Sequence, residues 1–180
     1  MATSRFRTSQ YTSEQFVESA GAILFRLSTQ EICLLHLLPL EQYILAKGRR
    51  NLGESREEAA LREVREETGY QCRLLPVTMA SRAPPAVETG PFCDVLRTYT
   101  GITEPLALQI RNLETEGEVK VIWWFVAAIE EDKDPKEDRP GEEMFDVEFH
   151  GYEEALKKLT FQLDREMTRR AIDMVKAAYH

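Results

Sequence analysis

AKGRRNLGESREEAALREVREETGY, residues 46–70, holds the stretch on which the fold turns. Its middle reads as one helix. Ser55 is placed to cap it, and Gly69, which tolerates the left-handed conformation, stops it after Thr68. Ala60, Leu61 and Val64 make a narrow apolar stripe for packing. At 3.6 residues per turn, Glu63, Glu66 and Glu67 fall within roughly 100° of one another beside that stripe.

Three carboxylates facing one volume repel unless something positive sits among them. One reading is a solvated acidic face stitched by intrahelical pairs such as Glu58–Arg62 and Arg62–Glu66. The other is a hard divalent cation, which prefers oxygen ligands and, as magnesium, takes a few carboxylates along with waters and substrate phosphates.

The flanks read as strands. SAGAILFRL and EICLLHLL, joined by STQ, form a pair, and YILA (43–46) a short third strand leading into a Gly-containing loop. After the helix, QCRLLPVTMA is a strand in which Pro76 suits an edge or bulge. SRAPPAVETG is loop, and PFCDVLRTYT a further strand. VKVIWWFVAAI (Val119–Ile129) is too continuously apolar to alternate and reads as a central strand covered on both faces. EEDKDPKEDRPGEE is an acidic loop, MFDVEFHG a last strand, and YEEALKKL a helix. In the final helix Leu163, Met167, Ala171, Met174 and Ala178 suggest one buried face. Strands in mixed order with a few helices give a layered α/β sandwich. Residues 1–18 read as a polar arm and residues 19–180 as a single domain.

Gly48, Glu54, Arg62, Glu63, Val64, Glu66, Glu67 and Gly69 match every fixed position of the Nudix box, which this segment resembles. Tyr70 departs only in being aromatic where an aliphatic is usual. The resemblance implies a Nudix-type α/β/α sandwich with a mixed sheet and the box as loop–helix–loop. It also implies hydrolysis of a diphosphate linked to another moiety. Carried over position by position, Glu63, Glu66, Glu67 and the Gly48 carbonyl would bind Mg²⁺, with Mn²⁺ as a substitute. Arg62 would orient the carboxylates, and Glu54 and Gly69 would support the box.

EEMFDVEFHGYEEALKKLTFQLDRE (142–166) resembles the end of small diadenosine-polyphosphate and diphosphoinositol-polyphosphate hydrolases. By that register Glu143 falls where such enzymes place an additional glutamate near the metals, with Glu116 and Glu118 as weaker candidates. Lys47, Arg49 and Arg50 beside Gly48 suit a phosphate-rich substrate, with Arg82 and Arg97 as a basic rim. Phe92, Tyr99 and Phe145 are platforms for a base or core residues. Trp123 and Trp124 are packing or pocket floor, and His36 and His150 are structural. The substrate expected is an inositol pyrophosphate or a dinucleoside polyphosphate. The alternatives are NADH or ADP-ribose type substrates, or a binding module that recognises a phosphorylated ligand without turnover.

Composition bounds the rest. A formal net charge of −8 argues against nonspecific nucleic-acid binding, though not against a small anionic substrate. No apolar run approaches the roughly 20 residues that span a bilayer, so no membrane role is expected. Cys33, Cys72 and Cys93 are an odd number without a CxxC pair, which favours reduced thiols and a cytoplasmic setting. Oligomeric state is left open.

Overall fold

In the computed structural model, residues 5–87, 95–132 and 144–179 are described. Glu143, Phe92, Cys93 and most of the acidic loop therefore lie outside the described residues. Strand β1 (Phe16–Arg26) turns back into β2 (Glu31–Leu37), followed by β3 (Gln42–Ile44) and β4 (Lys47–Arg49). Helix α1 (Arg56–Thr68) comes next, then β5 (Cys72–Leu74), β6 (Val77–Ser81), β7 (Arg97–Ile102), β8 (Ala107–Asn112) and β9 (Val119–Ile129). The chain closes with β10 (Phe145–Gly151), α2 (Tyr152–Lys158) and α3 (Gln162–Tyr179).

The main sheet runs β10-β2-β1-β9-β5, with β3 on β2, β4 on β1 and β8 on β9. Its β1–β9 pairing is parallel and the rest is antiparallel, which makes it mixed. Side chains alternate across the sheet. Ala20, Ala22, Leu24, Phe125 and Ala127 pack with Ala59, Ala60 and Val64 of α1. Ile23, Phe25, Ile122, Trp124 and Val126 pack on the other face with Leu156, Ala171, Ile172 and Val175. The layers are α/β/α, and β9 is covered on both faces, as its sequence leads one to expect.

Several boundaries differ from the sequence reading. The first strand begins at Phe16, ahead of Ser19. QCRLLPVTMA breaks before Pro76, so that β5 joins the main sheet while β6 pairs with β7. Strand β8 carries no sequence signal beyond weak alternation, because its Leu108 and Ile110 are exposed. Most telling, α3 buries Asp164, Thr168, Ala171, Ile172 and Val175, whereas Leu163 and Ala178 face outward. Two polar residues on the buried face hide the true stripe from a hydrophobicity count. Among the described residues, no helix is long and apolar enough to cross a membrane.

Candidate active site

The box helix is anchored at both ends by its own residues. Ser55 Oγ accepts the Glu58 N–H at 3.1 Å and Glu58 Oε2 accepts the Ser55 N–H at 2.8 Å, a reciprocal capping box. Gly69, at φ 79°, donates its N–H to Arg65 O at 2.9 Å. Glu58 is thereby taken by the cap and does not pair with Arg62.

Arg62 is the hub. Its Nε and Nη2 grip both oxygens of Glu54 at 2.7 and 3.0 Å. Nη1 reaches Glu63 at 2.8 Å and Glu66 at 2.9 Å, and Nη2 also donates to Arg49 O at 2.8 Å. The bonds to Glu54, opposed by burial and reinforced by Glu63 and Glu66, hold the Arg62 pKa above its ordinary value. The Arg62 hydrogen bond in turn holds the Glu54 carboxyl below the usual range. One planar fork thus ties the loop to two of the three carboxylates, which a lysine cannot do.

Strand β4 supplies the opposite wall. It pairs with β1 in the register Ser19↔Arg49, Ala20↔Gly48 and Gly21↔Lys47. The Glu63 carboxylate lies so close to Gly48 that a Cβ there would overlap it. Lys47 donates its backbone N–H to Glu67 Oε2 at 2.7 Å. Burial pushes the Glu67 carboxyl up to about 7, with Lys47 working against it and Glu63 adding to it. Glu63 and Glu67 therefore converge on Gly48 and Lys47, while Glu66 is more exposed and held by Arg62.

Among the described residues, no three acidic, His or Cys side chains are gathered into a ready cage. The donor set nevertheless fits a hard cation. Glu63 fills the space over Gly48 while Glu67 sits on the neighbouring Lys47 N–H, where burial disfavours its anion unless a positive charge is near.

Of the basic residues, Lys47 and Arg49 project from the sheet face that carries Ser19 and Gly21. Arg50 is engaged within the protein. Its Nε bonds Glu18 Oε2 at 2.9 Å and its Nη1 bonds Glu54 O at 2.8 Å, which pins the loop. Glu18 also takes Arg56 at 3.0 Å and Trp123 Nε1 at 2.9 Å, with Arg56 stacked 4.0 Å over the Trp123 ring. Burial disfavours the Glu18 anion, yet bonds from Trp123, Arg56 and Arg50 lower its pKa overall. Sequence reasoning missed Glu18, which it placed in the polar arm just ahead of the first strand. It likewise missed Lys120, which lies in the most apolar strand and opposite Arg111. Burial, then Lys47, Arg111 and Arg49, lowers the Lys120 pKa, while Glu63 raises it. Lys47, Arg111 and Arg49 thus sit within electrostatic reach of Lys120, next to the box.

Other candidates lie apart. Arg82 is exposed just past β6, and Arg97 is on β7 of the two-stranded sheet. Tyr99 bonds Ala83 O at 2.7 Å, and Phe145 packs against the α1-side core. Glu116 and Glu118 lie in the turn between β8 and β9. His36 stacks on Tyr43 at 4.3 Å and lies 3.3 Å from Glu148, which His150 bonds at 2.7 Å, forming a cluster on the α2 side.

Comparison with solved structures returns the same fold. A NUDIX hydrolase from Nitrosomonas europaea is 14% identical over 91% of this chain and 90% of its own, with a TM-score of 0.56. A C. elegans Ap4A hydrolase binary complex is 18% identical over 89% and 98%, with a TM-score of 0.57. A NUDIX-family hydrolase from Clostridium perfringens is 14% identical over 91% and 99%, with a TM-score of 0.56. Comparison with curated protein sequences found no match. A family profile described as NUDIX domain matches residues 16–171, which span every strand and most of α3. With its box formed on α1 and its sheet of the same architecture, the chain belongs to the NUDIX family.

Proposed function

We propose that this chain hydrolyses a phosphoanhydride bond in a small phosphorylated substrate, a dinucleoside polyphosphate or an inositol pyrophosphate, with Mg²⁺ or Mn²⁺ as cofactor. The observation that carries this reading is the convergence of Glu63 and Glu67 on the Gly48–Lys47 strand, locked from behind by Arg62. Similarity to an Ap4A hydrolase of C. elegans fits the first substrate class.

Glu63, Glu67 and the Gly48 carbonyl would hold the cation, with Glu66 completing the set from the Arg62 side. A divalent ion there supplies Lewis acidity, neutralising phosphoryl oxygens and acidifying water. Arg62 fixes the carboxylates before substrate arrives, so little reorganisation is left for the reaction itself. Lys47, Arg49, Lys120 and Arg111 offer positive charge to phosphates flanking the cleaved bond. Glu18, through Arg50 and Arg56, keeps the box loop in place. Glu143, outside the described residues, remains a candidate for proton transfer, and Arg82 a candidate for the substrate rim.

The test is a substrate panel of diadenosine polyphosphates, inositol pyrophosphates, NADH and ADP-ribose. Turnover is expected on at least one and lost in Glu66→Gln or Glu67→Gln with circular dichroism unchanged. Silence on the whole panel, with magnesium and with manganese, would sink the proposal.

A further inference from the structure

On the α2 side of the sheet, His36 of β2, Tyr43 of β3, Glu148 and His150 of β10 and Lys158 of α2 meet in one corner. Glu148 is its centre. His150 Nε2 bonds one Glu148 oxygen at 2.7 Å, and Lys158 Nζ donates to the same oxygen at 3.4 Å. The other oxygen accepts the Tyr43 hydroxyl at 3.3 Å and lies 3.3 Å from His36 Nδ1. Lys158 also donates to the Tyr43 hydroxyl at 3.0 Å. Burial disfavours the Glu148 anion, yet His150 and Lys158 lower its pKa overall.

The second nitrogen of each ring faces a second carboxylate. His36 Nε2 lies 3.3 Å from Glu41 Oε2, and His150 Nδ1 lies 3.6 Å from Glu154 Oε1. A neutral imidazole carries one N–H and serves only one of two flanking carboxylates, whereas the imidazolium serves both. His36 Nε2 shows the deficit directly, being buried without a hydrogen bond. Charge points the same way. Glu41, Glu148 and Glu154 stand against the ammonium of Lys158, so the corner is short of two positive charges, which two protonated rings supply. Asp146, exposed across from His36, and Arg165, which bonds Leu159 O and Thr160 O, add one charge of each sign. Imidazole is the side chain whose charge ordinarily changes between about pH 5 and 8. Glu41 and Glu154 are both exposed, so water takes them back when the rings are neutral.

We infer that this corner is a proton-operated latch: protons taken up by His36 and His150 draw in Glu41 and Glu154 and fasten β2, β10 and α2 together, and their loss releases the two carboxylates. What the latch fastens lies next to it. Glu41 ends the 3₁₀ turn Leu38–Leu40, whose Leu38 N–H bonds Met144 O at 3.1 Å at the root of β10. Tyr43 exchanges bonds of 2.9 and 3.0 Å with Thr160, just beyond α2, and four residues later the chain reaches Lys47 at the start of β4. The state of the latch therefore bears on the strand that carries Gly48. The charged rings have these partners only in the folded chain. Their contribution to stability is thus present in mild acid and lost as pH rises, the opposite sense from a carboxylate held by cations.

Urea unfolding of the full chain between about pH 5.5 and 8.5 tests the latch, because the window spans the ordinary titration of imidazole. Glu67 and His180, the latter outside the described residues, are common to all variants and cancel in the comparison. The wild type's advantage in folded-to-unfolded ratio over His36→Gln is expected to shrink by about tenfold from the acid to the alkaline end, the order of one hydrogen bond to a charged group. His150→Gln should behave alike. Glu41→Gln, at an exposed position, should remove most of the His36 response and none of that from His150, and it carries the test where His36→Gln does not fold. Amide exchange, corrected for its intrinsic rate, should show Leu38 and Thr160 better protected in acid in the wild type and not in the double histidine variant. A gap between wild type and histidine variants that is constant with pH, or that widens as pH rises, overturns the inference. A full wild-type response in Glu41→Gln, or equal protection of Leu38 and Thr160 at both ends of the range, overturns it as well.

Discussion

The Glu63 carboxylate occupies the space that a side chain at residue 48 would need, so that a Cβ on Gly48 would overlap its terminal atoms. Gly21, on the neighbouring strand, is crowded differently: a Cβ there would meet Ala46 O and the Cα and Cβ of Lys47. A carboxylate can swing away, whereas paired backbone cannot. Gly48→Ala is therefore expected to fold with a near-normal melting temperature and to lose activity by about 10²-fold, the cost of a displaced catalytic group. Gly21→Ala should instead lose about 1–3 kcal/mol of stability, as overpacked sites do. Melting curves and kcat for the two variants check this pair, and interchanged phenotypes would refute it.

Removing the cation should be visible without substrate. Glu63 and Glu67 repel each other in the metal-free chain, and burial raises the Glu67 pKa to about 7. Added Mg²⁺ should raise the melting temperature progressively, because a ligand that binds only the folded state stabilises it by mass action. Glu67→Gln should flatten that response, and a chelator should abolish both the shift and turnover. An unchanged thermal response in Glu67→Gln would show that the cation binds elsewhere.

Glu18 ties loop stability to acidity. Its pKa is depressed in the folded state by bonds from Trp123, Arg56 and Arg50 that outweigh burial. A depressed carboxylate contributes stability above its unfolded pKa of about 4.5, and that contribution is lost as pH falls through the lower folded value. Glu18→Gln should thus be less stable than the wild type at pH 7 by about 1.5–3 kcal/mol, the usual cost of losing hydrogen bonds to a charged group. The gap between their urea midpoints should close as the pH is lowered below about 4. A gap independent of pH would mean that Glu18 acts by packing alone.

Thiol chemistry offers a check on burial. Burial, with Glu130 adding, pushes the Cys72 thiol up to about 12, and Cys33 is 4% exposed. Only the thiolate alkylates readily. Neither residue should react with iodoacetamide at neutral pH in the native chain, and both should react in urea. Peptide mass spectrometry reads this out residue by residue.

Helix α1 was legible because everything that defines it is local. Ser55, Glu58 and Gly69 cap it, and Arg62, Glu63, Glu66 and Glu67 lie within two turns of one another. The α/β/α layering was legible from the apolar runs of β1 and β9. What escaped was brought together by pairing between distant segments. Glu18 read as part of a polar arm until the register placed it beside Arg50 and Trp123. Lys120 and Arg111 became neighbours only through β8, a strand with two of its three apolar residues outside. Arg50 looked like a free cation because its partner lies on another strand. Asp164 hid on a helix whose hydrophobic stripe pointed elsewhere.

The parallel seam between β1 and β9, running from Phe16↔Val119 to Phe25↔Ala128, joins segments about a hundred residues apart. A nascent chain emerging from the ribosome therefore displays the whole box well before β9 exists to cover the flank of β1. Until then β1 is an apolar edge open to any passing strand. Closure of the β1 flank consequently waits for β9, and fragments that stop short of Val119 should aggregate instead of folding in part.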